Sequence, residues 1–384
     1  MSDRFRWHPS ATLHDGAGHV LEPMPASTTV VADSPFGLAQ AIGSSVFRLG
    51  ALDQPAPAPA SMPMFETLTS GSTGQPRRIL RTQASWTRSF AVNAGFGIGP
   101  GAKGAVLGGL SFSLSLYAAI EGLHLGAEVH LLAGMWPDRQ RQALIDRHIS
   151  YIYASPAQLR LLTQGPGVCP DLRLIMVGGS KLDPGLRTAL RAMAPSAEVR
   201  EFYGAAETSF ITMADAATPE RSVGRAYPGV EIAVRDGEIW VKSPYLFTAY
   251  ADAPGSARWQ DGWLSVGEMG RMEDGFLYLY GRAGRMVTVA DQNVFPEEIE
   301  ALMESLPGIR RAAVLPVPDG LRGHVLVGLA EGDPGCEGAV MARLRTTLGP
   351  LKAPKALVWV TDWPVLPSGK TDLVALARRL EWPV

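Results

Sequence analysis

The stretch TLTSGSTGQPRRILRT, Thr67 to Thr82, crowds hydroxyls and glycines together and then turns basic. Closely spaced glycines let backbone N–H groups converge on an anion. Ser70, Ser72 and Thr73 add hydroxyl donors, and Arg77 and Arg78 add fixed charge in a planar fork that suits phosphate oxygens. The same composition also suits a solvated Gly/Ser loop. The sequence on either side has to decide between the two.

Upstream, DQPAPAPASMP (Asp53 to Pro63) is a Pro/Ala connector, expected to be extended and stiff. The residues before it are mixed in pattern. Downstream, strand-like and helix-like segments alternate. AEVHLLAG and LRLIMVGG read as short buried strands, and DRQRQALIDRH and PGLRTALRAMA as amphipathic helices. That alternation predicts α/β architecture, with sheets and helices in several layers. VEIAVRDGEIWVKSP reads as a hairpin turning at Asp236-Gly237, and GFLYLYGR as a further strand. FPEEIEALMESL starts a helix with acids in its first turn, and AAVLPVP and HVLVGLAE complete a small terminal α+β unit. A boundary near Gly281 to Arg285 predicts a large domain over 1–281 and a small one over 282–384.

Composition narrows the function classes. The chain has 384 residues, 46% of them hydrophobic and 19% charged, which is ample for a core. A net charge of -2 gives no electrostatic case for nucleic acid or an anionic membrane. Two cysteines, Cys169 and Cys336, exclude a disulfide scaffold and suit a reducing cytoplasm. The start, MSDRFRWHPSATLHDG, lacks the apolar run of a secretory signal. GAVLGGLSFSLSLYAAI, Gly104 to Ile120, is short and rich in serine and glycine, so it reads as buried core and not as a membrane span.

Several chemistries fail on spacing. LPSGKTDL ends like a Walker loop, but Pro364 stands where that loop needs a glycine. There is no Gly-x-Ser-x-Gly elbow, no His-Glu-x-x-His, no Cys-x-x-Cys and no Rossmann glycine fingerprint. His124 and His130 sit in an apolar segment, where core or surface histidines are the usual outcome.

Order is more telling than any one motif. TSGSTGQPR is followed by EFYGAAET (Glu201 to Thr208), then DGWLSVGEMGRMEDGFLYLYGR, NVFPEEIE and finally LPSGK. This series, from about Phe65 to the C-terminus, resembles the adenylate-forming ligase superfamily of acyl- and aryl-CoA synthetases, adenylation domains and luciferases. The resemblance implies a large N-terminal domain and a small mobile C-terminal one. It implies that a carboxylic acid attacks the α-phosphate of ATP, forming an acyl-adenylate and pyrophosphate, and that a thiol then displaces AMP. Two anions must be brought together, so fixed cations and oriented donors are needed.

The resemblance distributes roles as follows. Thr69, Ser70, Gly71, Ser72, Thr73 and Gly74 match the phosphate loop, with Arg77 in the place of its usual lysine. Gly178, Gly179 and Ser180 match the segment lining adenine, and Tyr203 the aromatic that stacks on it. Glu207 matches the acid that holds Mg²⁺, a hard cation suited to carboxylate oxygens. Ala206 replaces a threonine that touches the α-phosphate. Glu268 stands for the ribose-binding aspartate, and Arg282 for the arginine that reaches the same ribose. Gly284 falls at the hinge, and Lys370 matches the mobile catalytic lysine.

Leu110 to Ser115 aligns with the segment in which amino-acid-activating members carry an aspartate for the substrate amine. Here Ser113 stands instead, and a buried amine without a counter-ion is costly, so an aryl or alkyl acid without an α-amino group is expected. Phe112, Ser113, Leu116 and Ala205 are the pocket candidates. The acceptor is CoA or the phosphopantetheine of an acyl carrier protein, and Asp291 stands where the family has a glycine on the pantetheine path. The segment before the phosphate loop is shorter than the family's, so part of the pocket wall is missing or is supplied by a second subunit of a homo-oligomer. The competing expectation is a degenerate, non-catalytic nucleotide binder, on the strength of the departures at Arg77, Ala206, Glu268, Gly284 and Asp291.

Overall fold

The computed structural model describes residues 3–25, 28–69, 77–252, 255, 257–289, 292–320, 323–366 and 370–380. They divide into two compact units, one of 3–69, 77–232 and 241–264, the other of 233–240 and 265–380.

The first unit is built on a nine-stranded sheet. Its order is Arg225–Ala226, Ser209–Met213, Glu198–Ala205, Leu174–Val177, Tyr151–Ala154, Lys103–Val106, Glu128–Leu131, Thr12–His14 and Val20–Leu21. The central strands pair in parallel. Such strands are covered on both faces and therefore read as continuous apolar runs. LIMV at 174–177 and YIYA at 151–154 are buried throughout. The helices between them carry matching stripes. Pro184–Met193 buries Leu186, Leu190 and Met193, one side of the helix, and Asp183 caps it by accepting from the Leu186 N–H. Each such leucine contributes roughly 1.5–3 kcal/mol by burial. Ser155 and Gln158 form a capping box at the start of Pro156–Gln164.

A second sheet runs Ala249–Tyr250, Arg78–Thr82, Met64–Leu68, Val46–Leu49 and Val30–Val31. Residues before the Pro/Ala connector, hard to place from sequence, thus supply edge strands to both sheets. The connector itself has no helix or strand. It is held at its start by a buried charge cluster. Arg48 pairs with Glu66 at 2.7 Å, Arg78 lies 3.4 Å from the same carboxylate, and both guanidinium groups donate to the Pro55 carbonyl at 2.8 Å.

Deep in this unit Glu121 is the hub of a polar network. It accepts from Tyr153 Oη at 2.6 Å and from Asn93 Nδ2 at 2.8 Å. Tyr117 and Tyr227 bond to Ser89 and Asn93 around it. Burial pushes the Glu121 carboxyl up to about 7, against the pull of its hydrogen-bond donors. His130 is also accounted for structurally. It stacks on His14 at 4.4 Å between centroids, and its Nε2 meets Glu128 at 2.8 Å while Arg147 donates to its Nδ1.

In the second unit, Glu268–Glu273 and Phe276–Arg282 form an antiparallel pair. Asp236 and Gly237 both have positive φ, as the predicted Asp-Gly turn requires. Beyond them, Ile309–Asp319, Gly323–Gly332 and Ala356–Trp359 make a three-stranded sheet. Helices Pro296–Glu304 and Glu337–Lys352 close a core of Ile299, Met303, Val314, Leu326 and Leu344.

Candidate active site

Strand pairing brings the sequence-predicted residues of the first unit together. Met64–Leu68 and Arg78–Thr82 are antiparallel neighbours, with Leu68 opposite Arg78. Past that register, the Thr69 N–H donates to the Arg77 carbonyl at 2.9 Å, and the Arg77 N–H to Thr69 Oγ1 at 3.0 Å. These two residues form the base of the expected phosphate loop. Ser70, Gly71, Ser72, Thr73 and Gly74 lie outside the described residues, as does Asp291.

The same strand end reaches the pocket candidates. Leu68 bridges Phe112 in parallel and donates to the Ser111 carbonyl at 2.9 Å. Thr67 Oγ1 donates to that carbonyl at 3.1 Å and lies 3.3 Å from Ser113 Oγ. Ser113 is the first residue of helix Ser113–Leu125 and Phe112 its cap; both are half-buried, and Leu116 is fully buried. Asp33, which no motif marked, fixes this loop by accepting from the N–H groups of Leu110 and Ser111 and from Ser111 Oγ at 2.6–2.9 Å.

Glu201 to Ser209 carries the next candidates. Val177 is in register with Glu201, so Gly178 and Gly179 emerge beside the strand that carries Tyr203. A Cβ on Gly178 would lie 2.3 Å from the Phe202 ring, and Gly179 has φ +100°. Glycine is required at both for different reasons, contact at the first and backbone conformation at the second. Ser180 is exposed. Tyr203 pairs with Thr212, and the register slips between Tyr203 and Gly204, so the chain bulges into the 205–209 turn. Gly204 permits this, because a Cβ there would sit 1.7 Å from the Ser209 carbonyl oxygen. Thr208 Oγ1 closes the turn by accepting from the Ala205 N–H at 2.9 Å.

Glu207 is held at both ends. Its carbonyl accepts from the Phe247 N–H at 2.7 Å, and its Oε1 from Tyr250 Oη at 2.8 Å. The Arg77 guanidinium lies over the Tyr250 ring, 5.5 Å from its centroid. Tyr250 therefore links the base of the phosphate loop to the carboxylate, a role that no sequence motif announced. Among the described residues Glu207 Oε2 accepts no hydrogen bond, and a half-buried carboxylate with one oxygen unspent suits a hard divalent cation.

In the second unit Glu268 and Arg282 stand opposite each other on paired strands, with Arg282 Nε 3.1 Å from Glu268 Oε1. The Arg282 N–H also donates to Glu297 Oε1 at 3.3 Å. Gly284 sits in the short 3₁₀ turn Ala283–Arg285, exposed, with nothing within 4 Å of an added Cβ. Lys370 is half-buried, its carbonyl accepting from the Leu366 N–H at 2.8 Å, beside a bridge between Val365 and Thr371.

Residues 11–251 match the family model for AMP-binding enzymes, and residues 298–370 the model for the C-terminal domain of AMP-binding enzymes. The chain belongs to this family. The chain is similar to an uncharacterized acyl–CoA ligase, YhfT, of Bacillus subtilis (strain 168), at 32% identity over 83% of this chain and 68% of the relative. It is 28% identical to a 3-hydroxybenzoate–CoA ligase of Aromatoleum sp. (strain CIB), over 90% of this chain and 72% of that one. Among solved structures, the amide bond synthetase McbA of Marinactinospora thermotolerans superposes with a TM-score of 0.72 at 25% identity, over 88% of this chain and 76% of that one. The ligase spans 59 to 72% of the length of such curated relatives. Its α/β fold, with a large N-terminal and a small C-terminal part, is that of the adenylate-forming enzymes. It is an AMP-forming ligase. No described helix is long and apolar enough to cross a membrane.

Proposed function

We propose that the ligase activates an aryl or alkyl carboxylic acid without an α-amino group and passes the acyl group from its adenylate to the thiol of CoA. The observation that carries the substrate class is the contact between Thr67 and Ser113. The first residue of the pocket helix offers a hydroxyl beside another hydroxyl at 3.3 Å, where an amine would need a carboxylate. Asp33, an acid near this loop, is already engaged by three donors of residues 110–111.

In this reading Thr69, residues 70–74 and Arg77 take the triphosphate, Tyr203 and Gly178 to Ser180 the adenine, and Glu268 and Arg282 the ribose. Glu207 holds the Mg²⁺ that accompanies ATP. Lys370, supplied by a C-terminal domain beginning at Arg282 and turning at Gly284, neutralises charge between the acid's carboxylate and the α-phosphate. An ammonium suits that task because it offsets the repulsion between the two anions as they approach and the charge on the phosphoryl oxygens as the new P–O bond forms and pyrophosphate leaves. CoA as acceptor is supported by the names of the acyl– and 3-hydroxybenzoate–CoA ligase relatives. A carrier protein's phosphopantetheine offers the same thiol. A cytoplasmic setting fits two cysteines that are both free thiols.

The test is pyrophosphate release with ATP, Mg²⁺ and a broad acid panel, with CoA and a pantetheinylated carrier offered in parallel and products read by mass spectrometry. Turnover is expected with acids lacking an α-amine, and Ser113→Asp is expected to lower it for those acids. Amino acids as the best substrates would overturn the substrate class. Nucleotide binding with no pyrophosphate from any acid would favour a non-catalytic binder.

A further inference from the structure

Arg81 is the position in the motif region that sequence reading left without a role. It lies on the same face of strand Arg78–Thr82 as Ile79, and both side chains are fully buried. A buried guanidinium is costly unless its donors are satisfied. Here the donors go to Ser85 Oγ at 3.3 Å, Ser209 Oγ at 2.7 Å and the carbonyls of Ala206 and Tyr245. Among the described residues no carboxylate bonds to it directly, and Glu207 is the acid whose field it feels. Burial lowers its pKa to about 9, with Glu207 opposing that shift, so it is a cation at neutral pH.

The placement of these bonds is specific. Ala206 and Ser209 bracket Glu207 and Thr208, and Tyr245 belongs to the segment whose Phe247 N–H holds the Glu207 carbonyl. One rigid fork therefore grips the turn before and after the carboxylate-bearing residue, and also the chain that backs it. Ala206 brings no side-chain donor of its own, so the orientation of the 206–207 peptide rests on its carbonyl, and Arg81 holds that carbonyl.

We propose that Arg81 is a positioning residue for Glu207: its guanidinium fixes the 206–209 turn so that the carboxylate is presented to the metal ion of the bound nucleotide. This rests on the reading of Glu207 as the metal-holding acid. A lysine cannot reproduce the effect, because an ammonium lacks the planar fork and would leave at least one of the four acceptors unserved.

The experiment titrates MgCl₂ against the enzyme and α,β-methylene-ATP, a nucleotide that cannot be cleaved at the reacting bond, with calorimetric readout. It needs no knowledge of the acid. Wild type, Glu207→Gln, Arg81→Lys and the double variant are compared. Loss of a charge-assisted contact is worth about a tenfold shift, so each single variant is expected to raise the half-saturating Mg²⁺ concentration about tenfold. The double variant is expected to match Glu207→Gln alone, because Arg81 acts only through that carboxylate. Ser209→Ala removes one anchor while the guanidinium keeps its acceptors at Ser85, Ala206 and Tyr245, and is expected to raise the requirement about threefold, the worth of one hydrogen bond. That variant decides the matter if Arg81→Lys does not fold. An unmoved Mg²⁺ requirement in Glu207→Gln would remove the metal-holding reading and this proposal with it. A shift in Glu207→Gln, with Arg81→Lys and Ser209→Ala silent or multiplying independently, would overturn the proposal about Arg81 alone.

Discussion

The turn that carries Glu207 and the described residues around Lys370 are held in different ways. The first is gripped from three sides by Arg81, Phe247 and Tyr250, and its entry is shaped by a glycine with no room for a Cβ. Around Lys370 the described bonds run from the Leu366 N–H to the Lys370 carbonyl and from the Asp372 N–H to the Pro364 carbonyl, with Trp363 Nε1 donating to Thr371 Oγ1 at 3.1 Å. An acid that holds a metal ion gains from being fixed in advance, since reorganisation would cost binding energy at each cycle. On the proposed reading, a lysine that serves one of two half-reactions gains from a mount that can be carried away with its unit.

The sharpest way to break this contrast is Lys370→Ala. Pyrophosphate release should fall by about 10³-fold, the scale of removing a group that stabilises transition-state charge, with only the small change in melting temperature expected of one half-buried side chain. A melting shift of several degrees would mean that the lysine is part of its unit's packing. Gly204→Ala should act the other way round. Its new Cβ meets backbone at 1.7 Å, so the turn must move, and a loss of about 3 kcal/mol or more in stability should show in denaturant unfolding. Unchanged unfolding would show that the turn is far softer than its bonds suggest.

Glu121 tests how far the rigid plan extends beneath the first turn, because Tyr227 of its network stacks on Phe210, next to Ser209. The Glu121 carboxyl is raised from 4.5 to about 7 in the folded chain, so the native state holds a proton that the unfolded chain has released. The unfolded chain binds fewer protons across this window, so stability must fall as pH rises from about 4.5 to 7. A shift of this size corresponds to about 3 kcal/mol. Glu121→Gln should remove most of that dependence, leaving the variant more stable than wild type at pH 8 and similar near pH 4. Equal pH slopes in the two proteins would contradict this. The smallest effect is expected at Gly284→Ala, within about ±0.5 kcal/mol of wild-type stability, since its Cβ enters open space. Unaltered stability with a slowed thiol step would place the hinge there; unaltered rates would move it elsewhere.

Much of this was legible beforehand. Buried parallel strands and helices with one apolar side announce themselves by period, which is why LIMV at 174–177 and the 184–193 helix fell where expected. The early edge strands were not legible, because Thr12–His14 and Val30–Val31 are too short to show a period and exist through their neighbours. Among the candidate site residues, Glu207 and Tyr203 sit in a contiguous motif and are proposed by reading along the chain. Tyr250, Asp33 and Arg81 could not, since each acts on a partner tens to more than a hundred residues away.

From the sequence alone came the order of the motifs, the family they resemble, and the chemistry of the residues within each. Those are local properties, carried by neighbours on one strand of chain. Which arginine is buried, which tyrosine meets the carboxylate, and where a glycine has no substitute were decided only on folding. They depend on distances between segments that the chain brings together from far apart, and no local spacing encodes such distances.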